Sequence, residues 1–238
     1  MEDIFRGSVV MLKRMLCSSQ RLWLACCLFL CVATPAIAQS AAKVRFQTSA
    51  GDFVVEVYPD KAPKTVENFL QYVKEKHYDG TIFHRVIPNF MVQGGGYDLK
   101  YAEKKMRPPV AHEGREALAR GGSKNTIGTL AMARTNDPHS ATAQFFINVQ
   151  DNAFLDPTLI PPGDPVPRFE YQGRTYKDVP RDRLINAPEL FGYTVFGKVV
   201  QGMDVITKIK NTPTGAGGPF ASDVPQTPIV IKSATIEK

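Results

Sequence analysis

The chain has 238 residues, 43% of them hydrophobic and 22% charged, with a formal net charge of +6 at pH 7. That is enough for one sizeable folded domain with an appendage. The modest charge, with no basic stripe interleaved with aromatics, argues against nucleic acid as a partner, and the short basic run 100–107 reads as a solvated loop.

Residues 1–38 read as a signal peptide. Arg14 and Arg21 precede an apolar run from Leu22 to Val32, and Ala36-Ile37-Ala38 supplies small residues where a signal peptidase cuts. The mature domain is then expected to span 39–238, starting at Gln39. A retained anchor needs about twenty apolar residues; this run is shorter and closes on Pro35, so no stable membrane anchor is expected after cleavage. A lipoprotein signal is disfavoured because Leu24-Ala25-Cys26 and Leu30-Cys31 lack a good small-residue context. Glu2 and Asp3 suit a signal peptide poorly, which makes Met11 and Met15 alternative initiators. All four cysteines (17, 26, 27 and 31) and the single tryptophan, Trp23, fall in this leader. The expected mature domain therefore has no cysteine nucleophile, disulfide or thiolate metal site. The leader also takes four basic and two acidic residues, leaving 25 against 21, or +4.

Along the mature chain, Val44 and Phe46, then Phe53, Val55 and Val57, alternate with polar neighbours and predict two strands over 43–58 that turn at Ala50-Gly51-Asp52. Pro63 opens a helix, and Val66, Phe69, Leu70 and Val73 give it one apolar face. Short strands are predicted at 81–87, 90–94, 128–133, 144–149 and 193–200, with a short helix at 203–210 and a last strand at 228–236. Many short strands with few helices indicate a mainly β sandwich or barrel. Residues 97–127 form a long charged connection. Residues 157–190 hold seven of the 18 prolines, too many for a central strand or helix, and read as a Pro-rich insertion.

The stretch Phe83-His84-Arg85-Val86-Ile87-Pro88-Asn89-Phe90-Met91-Val92-Gln93-Gly94-Gly95-Gly96 sets one arginine and one glutamine among large apolar residues. It has no nucleophile, acid/base pair or metal-ligand set. Strand alternation puts Met91 and Gln93 on one face, and likewise Gln144 and Phe146. Read alone, these residues are equally satisfied as a binding site or as a snorkelling arginine beside solvated amides. His77, His84, His112 and His139 lack metal-ligand spacing and read as structural or exposed. Gly94-Gly95-Gly96 is not a phosphate loop; it lets the chain turn or approach a ligand closely. No G-x-S-x-G elbow is present, which argues against a serine hydrolase.

Ala62–Phe69, Phe83–Gly96, Gly128–Ala133, Gln144–Asn148 and Val195–Val199 resemble, in the same order, segments of the cyclophilin family of peptidyl-prolyl isomerases, and the likeness covers nearly all of 43–237. It implies a closed eight-stranded antiparallel β-barrel capped by two α-helices, and no cofactor or metal. By this resemblance Arg85 is the catalytic residue, and Phe90, Met91, Phe146 and Leu155 form the proline pocket. Gln93 and Gln144 bond the substrate or support Arg85, while Ala133 and Arg134 line the path of the peptide backbone. Phe154 and Tyr193 stand on the rim where better-known eukaryotic members carry tryptophan and histidine, so weak cyclosporin binding is expected. The implied function is cis–trans isomerisation of X-Pro bonds in exported, folding polypeptides, by a monomer in the periplasm. The rival is a proline-segment-binding chaperone or scaffold with little turnover. The insertion at 157–190 should emerge beside the groove, either as a specificity or partner-binding lid or as a tolerated surface loop.

Overall fold

The computed structural model describes residues 41–237; the signal-peptide reading of 1–38 and the choice of initiator fall outside them. In chain order the elements are β1 (Ala42–Thr48), β2 (Gly51–Val57), α1 (Pro63–Lys74), β3 (Thr81–Ile87), β4 (Met91–Asp98), α2 (Gly114–Ala119), β5 (Thr129–Met132) and β6 (Phe145–Asn148). There follow β7 (Val166–Tyr171), β8 (Arg174–Val179), α3 (Arg181–Ile185), β9 (Val195–Gln201), α4 (Met203–Lys210), β10 (Thr214–Gly217), β11 (Phe220–Pro225) and β12 (Ile231–Ile236).

Eight strands form one antiparallel sheet in the order β12-β1-β2-β9-β5-β6-β4-β3. Its two ends meet again where Phe83 N–H donates to Ile229 O (2.9 Å) and Gly80 N–H to Ile231 O (2.8 Å). This near-closure protects the sheet edges. The interior is aromatic: Phe46 stacks on Phe53 with centroids 4.9 Å apart, and Phe145 lies 5.4 Å from Phe46. α1 buries Val66, Phe69, Leu70 and Val73, its predicted face, and α4 buries Val205, Ile206 and Ile209. Both belong to the same apolar core as the barrel interior. The β1–β2 turn falls at Ser49-Ala50, one residue before the predicted site.

The two expected capping helices are present, and two short helices add to them. The described residues hold four α-helices, the two predicted ones and the short α2 and α3. α2 lies in the charged connection, where six residues give too little periodicity to read. Residues 157–190 are not a bare loop either. β7 and β8 pair as a separate hairpin, and Val166, Phe169, Leu184 and Leu190 form a small core of their own. The prolines are placed where they do no harm: Pro167 is passed over in the hairpin register, Pro180 precedes α3 and Pro188 begins a 3₁₀ turn. The ends of this segment lie side by side, with Thr158 N–H on Leu190 O (3.0 Å) and Tyr193 N–H on Leu155 O (2.9 Å).

The first turn of α1 is satisfied from a distance. Ala62 at its N-cap offers no side-chain acceptor. The buried Glu113 carboxylate instead accepts from Lys64 N–H (3.2 Å), Thr65 N–H (2.8 Å) and the Thr65 hydroxyl (2.8 Å). This anion faces the positive end of the helix dipole and joins α1 to the segment before α2. Glu113→Ala should lower unfolding free energy in urea by about 2–3 kcal/mol, since it orphans two helix N–H groups and empties buried space. Glu116→Ala, at an exposed position of α2, should change it by no more than about 0.5 kcal/mol.

Candidate active site

A row of side chains crosses five strands. The register sets Arg85 of β3 opposite Gln93 of β4, Gln93 opposite Phe146 of β6, Phe146 opposite Ala131 of β5, and Ala131 opposite Val195 of β9. Directly opposed residues share a face. Their sequence neighbours Val86, Val92, Phe145, Ile147 and Leu130 fill the barrel, so this row points outward. There Met91, Ala131, Phe146, Leu155 and Val195 build a second apolar cluster, flanked by Phe90, Ala133 and Tyr193.

Strict alternation breaks at one point. Phe83 and Val86 both belong to the barrel core, although an even number of residues, His84 and Arg85, lies between them and regular pleating would put them on opposite faces. The register advances from Phe83 to Arg85 on β3 against a single step from Gly94 to Gln93 on β4. This is a β-bulge, and it reverses the parity so that Arg85 emerges on the outer face. His84 is buried there, with its ring 4.8 Å from Tyr97 and 5.5 Å from Phe220.

The outer cluster floors a hollow of about 170 Å³ lined by Arg85, Phe90, Met91, Gln93, Ala133, Arg134, Phe146, Leu155 and Tyr193. Nine of the eleven residues singled out in the sequence thus face one space, sized for a single ring rather than a drug-sized ligand. The other two stand beside it. Gln144 accepts from Gln93 Nε2 (2.9 Å) and lines a neighbouring open hollow of about 310 Å³ that shares Gln93, Ala133 and Arg134. Phe154, 74% exposed, stacks on Phe90 at 5.6 Å and extends the rim. Arg134 is fixed over the Tyr193 ring at 4.6 Å, its Nε donating to Gly192 O (3.0 Å). Tyr193 in turn meets Phe146 edge-on at 5.4 Å.

The three glycines serve the protein's own packing. A Cβ on Gly96 would sit 2.5 Å from Gln144 Nε2, and one on Gly95, whose φ is +87°, would press on Tyr78 and Phe145. Glycine at 96 therefore lets Gln144 lie where it meets Gln93. Among the described residues no group of three or more His, Cys, Asp or Glu side chains could hold a metal. No described helix is long and apolar enough to cross a membrane.

Residues 43–236 match the family model described as cyclophilin type peptidyl-prolyl cis-trans isomerase/CLD. The chain is 47% identical over 193 residues to peptidyl-prolyl cis-trans isomerase cyp18 of Streptomyces antibioticus, covering 81% of this chain and 97% of that one. It is 44% identical over 195 residues to peptidyl-prolyl cis-trans isomerase B of Escherichia coli K12, covering 82% and 99%. The chain belongs to the cyclophilin family. The crystal structure of a Cryptosporidium parvum cyclophilin type isomerase shares the fold with a TM-score of 0.54 at 24% identity, over 84% of this chain and 99% of that one.

Several residues that hold this cyclophilin's site together were not apparent in the sequence. Asn152 Nδ2 donates to Phe90 O (2.9 Å) and Asn148 Oδ1 (2.7 Å). Asn148 Nδ2 reaches Asn125 Oδ1 (3.2 Å) and Thr129 Oγ1 (3.0 Å), and Asn125 Nδ2 reaches Leu155 O (3.1 Å). This buried amide chain ties the backbones of two pocket residues, Phe90 and Leu155, to β5 and β6. Asn125 and Asn152 in loops and Asn148 at the end of β6 carry no periodic signal, so only tertiary structure reveals their roles.

Burial, reinforced by the adjacent Arg85 charge, pushes the His84 imidazole from 6.5 down to about 4. His112 is also pushed down to about 4, by burial first and then by Arg134. An unfolded chain takes up protons at these positions between pH ~6.5 and ~4 that the folded chain refuses. Stability is therefore full above pH 6.5 and falls as the pH drops through this window, by about 3 kcal/mol for a group as buried as His84. His84→Phe, which keeps a ring against Tyr97 and Phe220, should flatten the profile of urea-unfolding free energy between pH 6.5 and 4. An unchanged slope would show that His84 titrates normally.

Proposed function

We propose that this chain is an exported peptidyl-prolyl cis–trans isomerase that accelerates rotation about X-Pro bonds in unfolded or loop-exposed segments of folding proteins. The observation that carries the reading is a guanidinium at the edge of a ring-sized apolar hollow whose lining includes no carboxylate, thiol or imidazole. Such a site stabilises a redistribution of electrons without a group to attack a bond.

The physical problem is one of rate. Amide resonance sets a rotation barrier of about 18–20 kcal/mol, whereas the two prolyl isomers differ by only about 0.5–1 kcal/mol. As the bond twists, conjugation is lost and the lone pair localises on the prolyl nitrogen. Arg85 donates an N–H to that nitrogen, an interaction stronger in the twisted state than in either planar state. Arginine suits the role because it stays charged and its donors lie in a rigid plane. Met91, Phe146 and Leu155 hold the prolyl ring and exclude water, which strengthens the bond to the guanidinium. Gln93, Gln144, Ala133 and Arg134 offer polar groups to the flanking peptide, and Phe90, Phe154 and Tyr193 form the rim. The domain acts as a monomer without cofactor. The charged and apolar pattern of 1–38 directs it to the periplasm and is removed on export.

Arg85→Ala should fold normally, because the Arg85 side chain is 46% exposed, yet reduce kcat/KM on an Ala-Pro peptide about 10²–10³-fold in a protease-coupled or NMR exchange assay. Wild-type turnover no faster than the variant would leave a proline-binding domain in place of an enzyme.

Phe154 offers no indole N–H at the rim. Calorimetry should accordingly give a cyclosporin dissociation constant weaker than nanomolar, tightened by Phe154→Trp; nanomolar binding by the unaltered protein would contradict the role given to Phe154.

A further inference from the structure

The β10–β11 hairpin lies outside the barrel against β3, and it brings a carboxylate to the arginine of the site. Phe220 anchors it, stacked near His84 (5.5 Å) and edge-on to Tyr97 (5.2 Å), while Val224 and Pro225 are buried. Between these fixed points Asp223 adopts φ +66°, in the left-handed region that non-glycine residues rarely occupy and that Asp and Asn tolerate best. The Asp223 carboxylate Oδ2 stands 4.0 Å from Arg85 Nε. Among the described residues no other carboxylate comes within ion-pair distance of Arg85. Strained backbone held by its surroundings often marks a functional contact.

We propose that Asp223 is a positioning residue for Arg85, restraining the guanidinium from its Nε side so that the Nη donors are presented to the hollow. The proposal rests on the isomerase reading above. An arginine side chain on a strand surface samples many rotamers, and each turn spent elsewhere is lost to catalysis. Gln93 of β4 flanks Arg85 on one side and Asp223 closes the other. The carboxylate never meets the substrate; it acts by narrowing the range of the group that does. At 4.0 Å the contact is an ion pair rather than a hydrogen bond, and both partners are partly exposed, so salt should weaken it.

The test uses Asp223→Asn, which keeps shape and tolerates the left-handed backbone, and Asp223→Gly, which accepts that backbone without any side chain. Both should unfold at wild-type urea concentrations. At low salt both should lower kcat on an Ala-Pro peptide by about two- to fivefold, the range open to a partly exposed ion pair, with KM unchanged. The deficit should shrink at high salt, and it should vanish when Arg85 is already alanine, because the carboxylate then has nothing to position. Ser222→Ala, at the exposed neighbouring residue, should be silent. If wild type is active and Arg85→Ala is slow while both Asp223 variants match wild type at low salt, this inference alone fails. A deficit that persists undiminished in the Arg85→Ala background also overturns it. If wild type and Arg85→Ala are equally inactive, the isomerase reading falls and takes this one with it.

Discussion

A strand in a closed barrel serves two masters, because successive side chains go alternately to a packed interior and to an outer face. On β3 the two demands collide. Phe83 and Val86 are both needed inside, and regular pleating would then send Arg85 to the same side as Phe83. The single-residue bulge opposite Gly94 and Gln93 resolves the conflict. It turns Arg85 out into register with Gln93, Phe146, Ala131 and Val195, and it leaves His84 in a slot under the β10–β11 hairpin. The extra residue thus couples three parts of the molecule: the aromatic core, the outer hollow and the hairpin that carries Asp223. Remove it and either a phenylalanine leaves the core or an arginine enters it, and burying an unpaired charge is the dearer of the two.

The outer hollow is apolar but its supports are polar. Phe90 and Leu155 lie outside the barrel strands, and their carbonyls, which already accept the N–H groups of Val149 and Tyr193, are held a second time by Asn152 and Asn125. The same logic operates at the far rim, where Glu113 N–H donates to the Thr194 hydroxyl (3.2 Å) while the Glu113 carboxylate caps α1. Such side-chain bonds supplement the sparse backbone bonds of these irregular segments. They let irregular chain stand close to a binding surface without leaving buried donors unmet.

What could be read from the sequence follows from this division. Elements governed by a repeating period were legible: the apolar face of α1, the alternation in β1 and β2, and the shared face of Met91 with Gln93 and of Gln144 with Phe146. The eight-stranded barrel came from the family resemblance, since periodicity alone left sandwich and barrel open. Features set by one residue or by distant partners were not legible. Asp223 lies well over a hundred residues from Arg85, and the bulge at His84 has no signature beyond the awkward spacing of Phe83, Arg85 and Val86. Counting prolines led to a loop for 157–190 because the count ignores where each proline falls in a hairpin. Glycines 94–96 are read as letting the chain turn or a ligand approach; the space beside them is filled by Gln144, Tyr78 and Phe145.

The 157–190 segment packs beside the site through a few specific contacts. Its ends are bonded to each other, its length adds only slowly to the entropy of closing the chain, and it buries a small apolar core of its own. One cation joins it to the barrel. Arg115 of α2 donates to Ile185 O (2.8 Å) and Leu184 O (3.3 Å) at the end of α3, where the helix dipole favours positive charge, and its guanidinium lies 4.4 Å from the Phe191 ring. The next residue, Gly192, presents the carbonyl that receives Arg134 Nε and, at 3.3 Å, His112 Nε2. Gly114 N–H donates to His112 Nδ1 (3.1 Å), so the proton sits on Nε2 and the bond to Gly192 is a donated one. The end of the 157–190 segment, the rim arginine and the Tyr193 ring are therefore linked by consecutive contacts. Gly192 has little slack to give: at φ +60° any Cβ there would strike the backbone of Leu155 and Pro157.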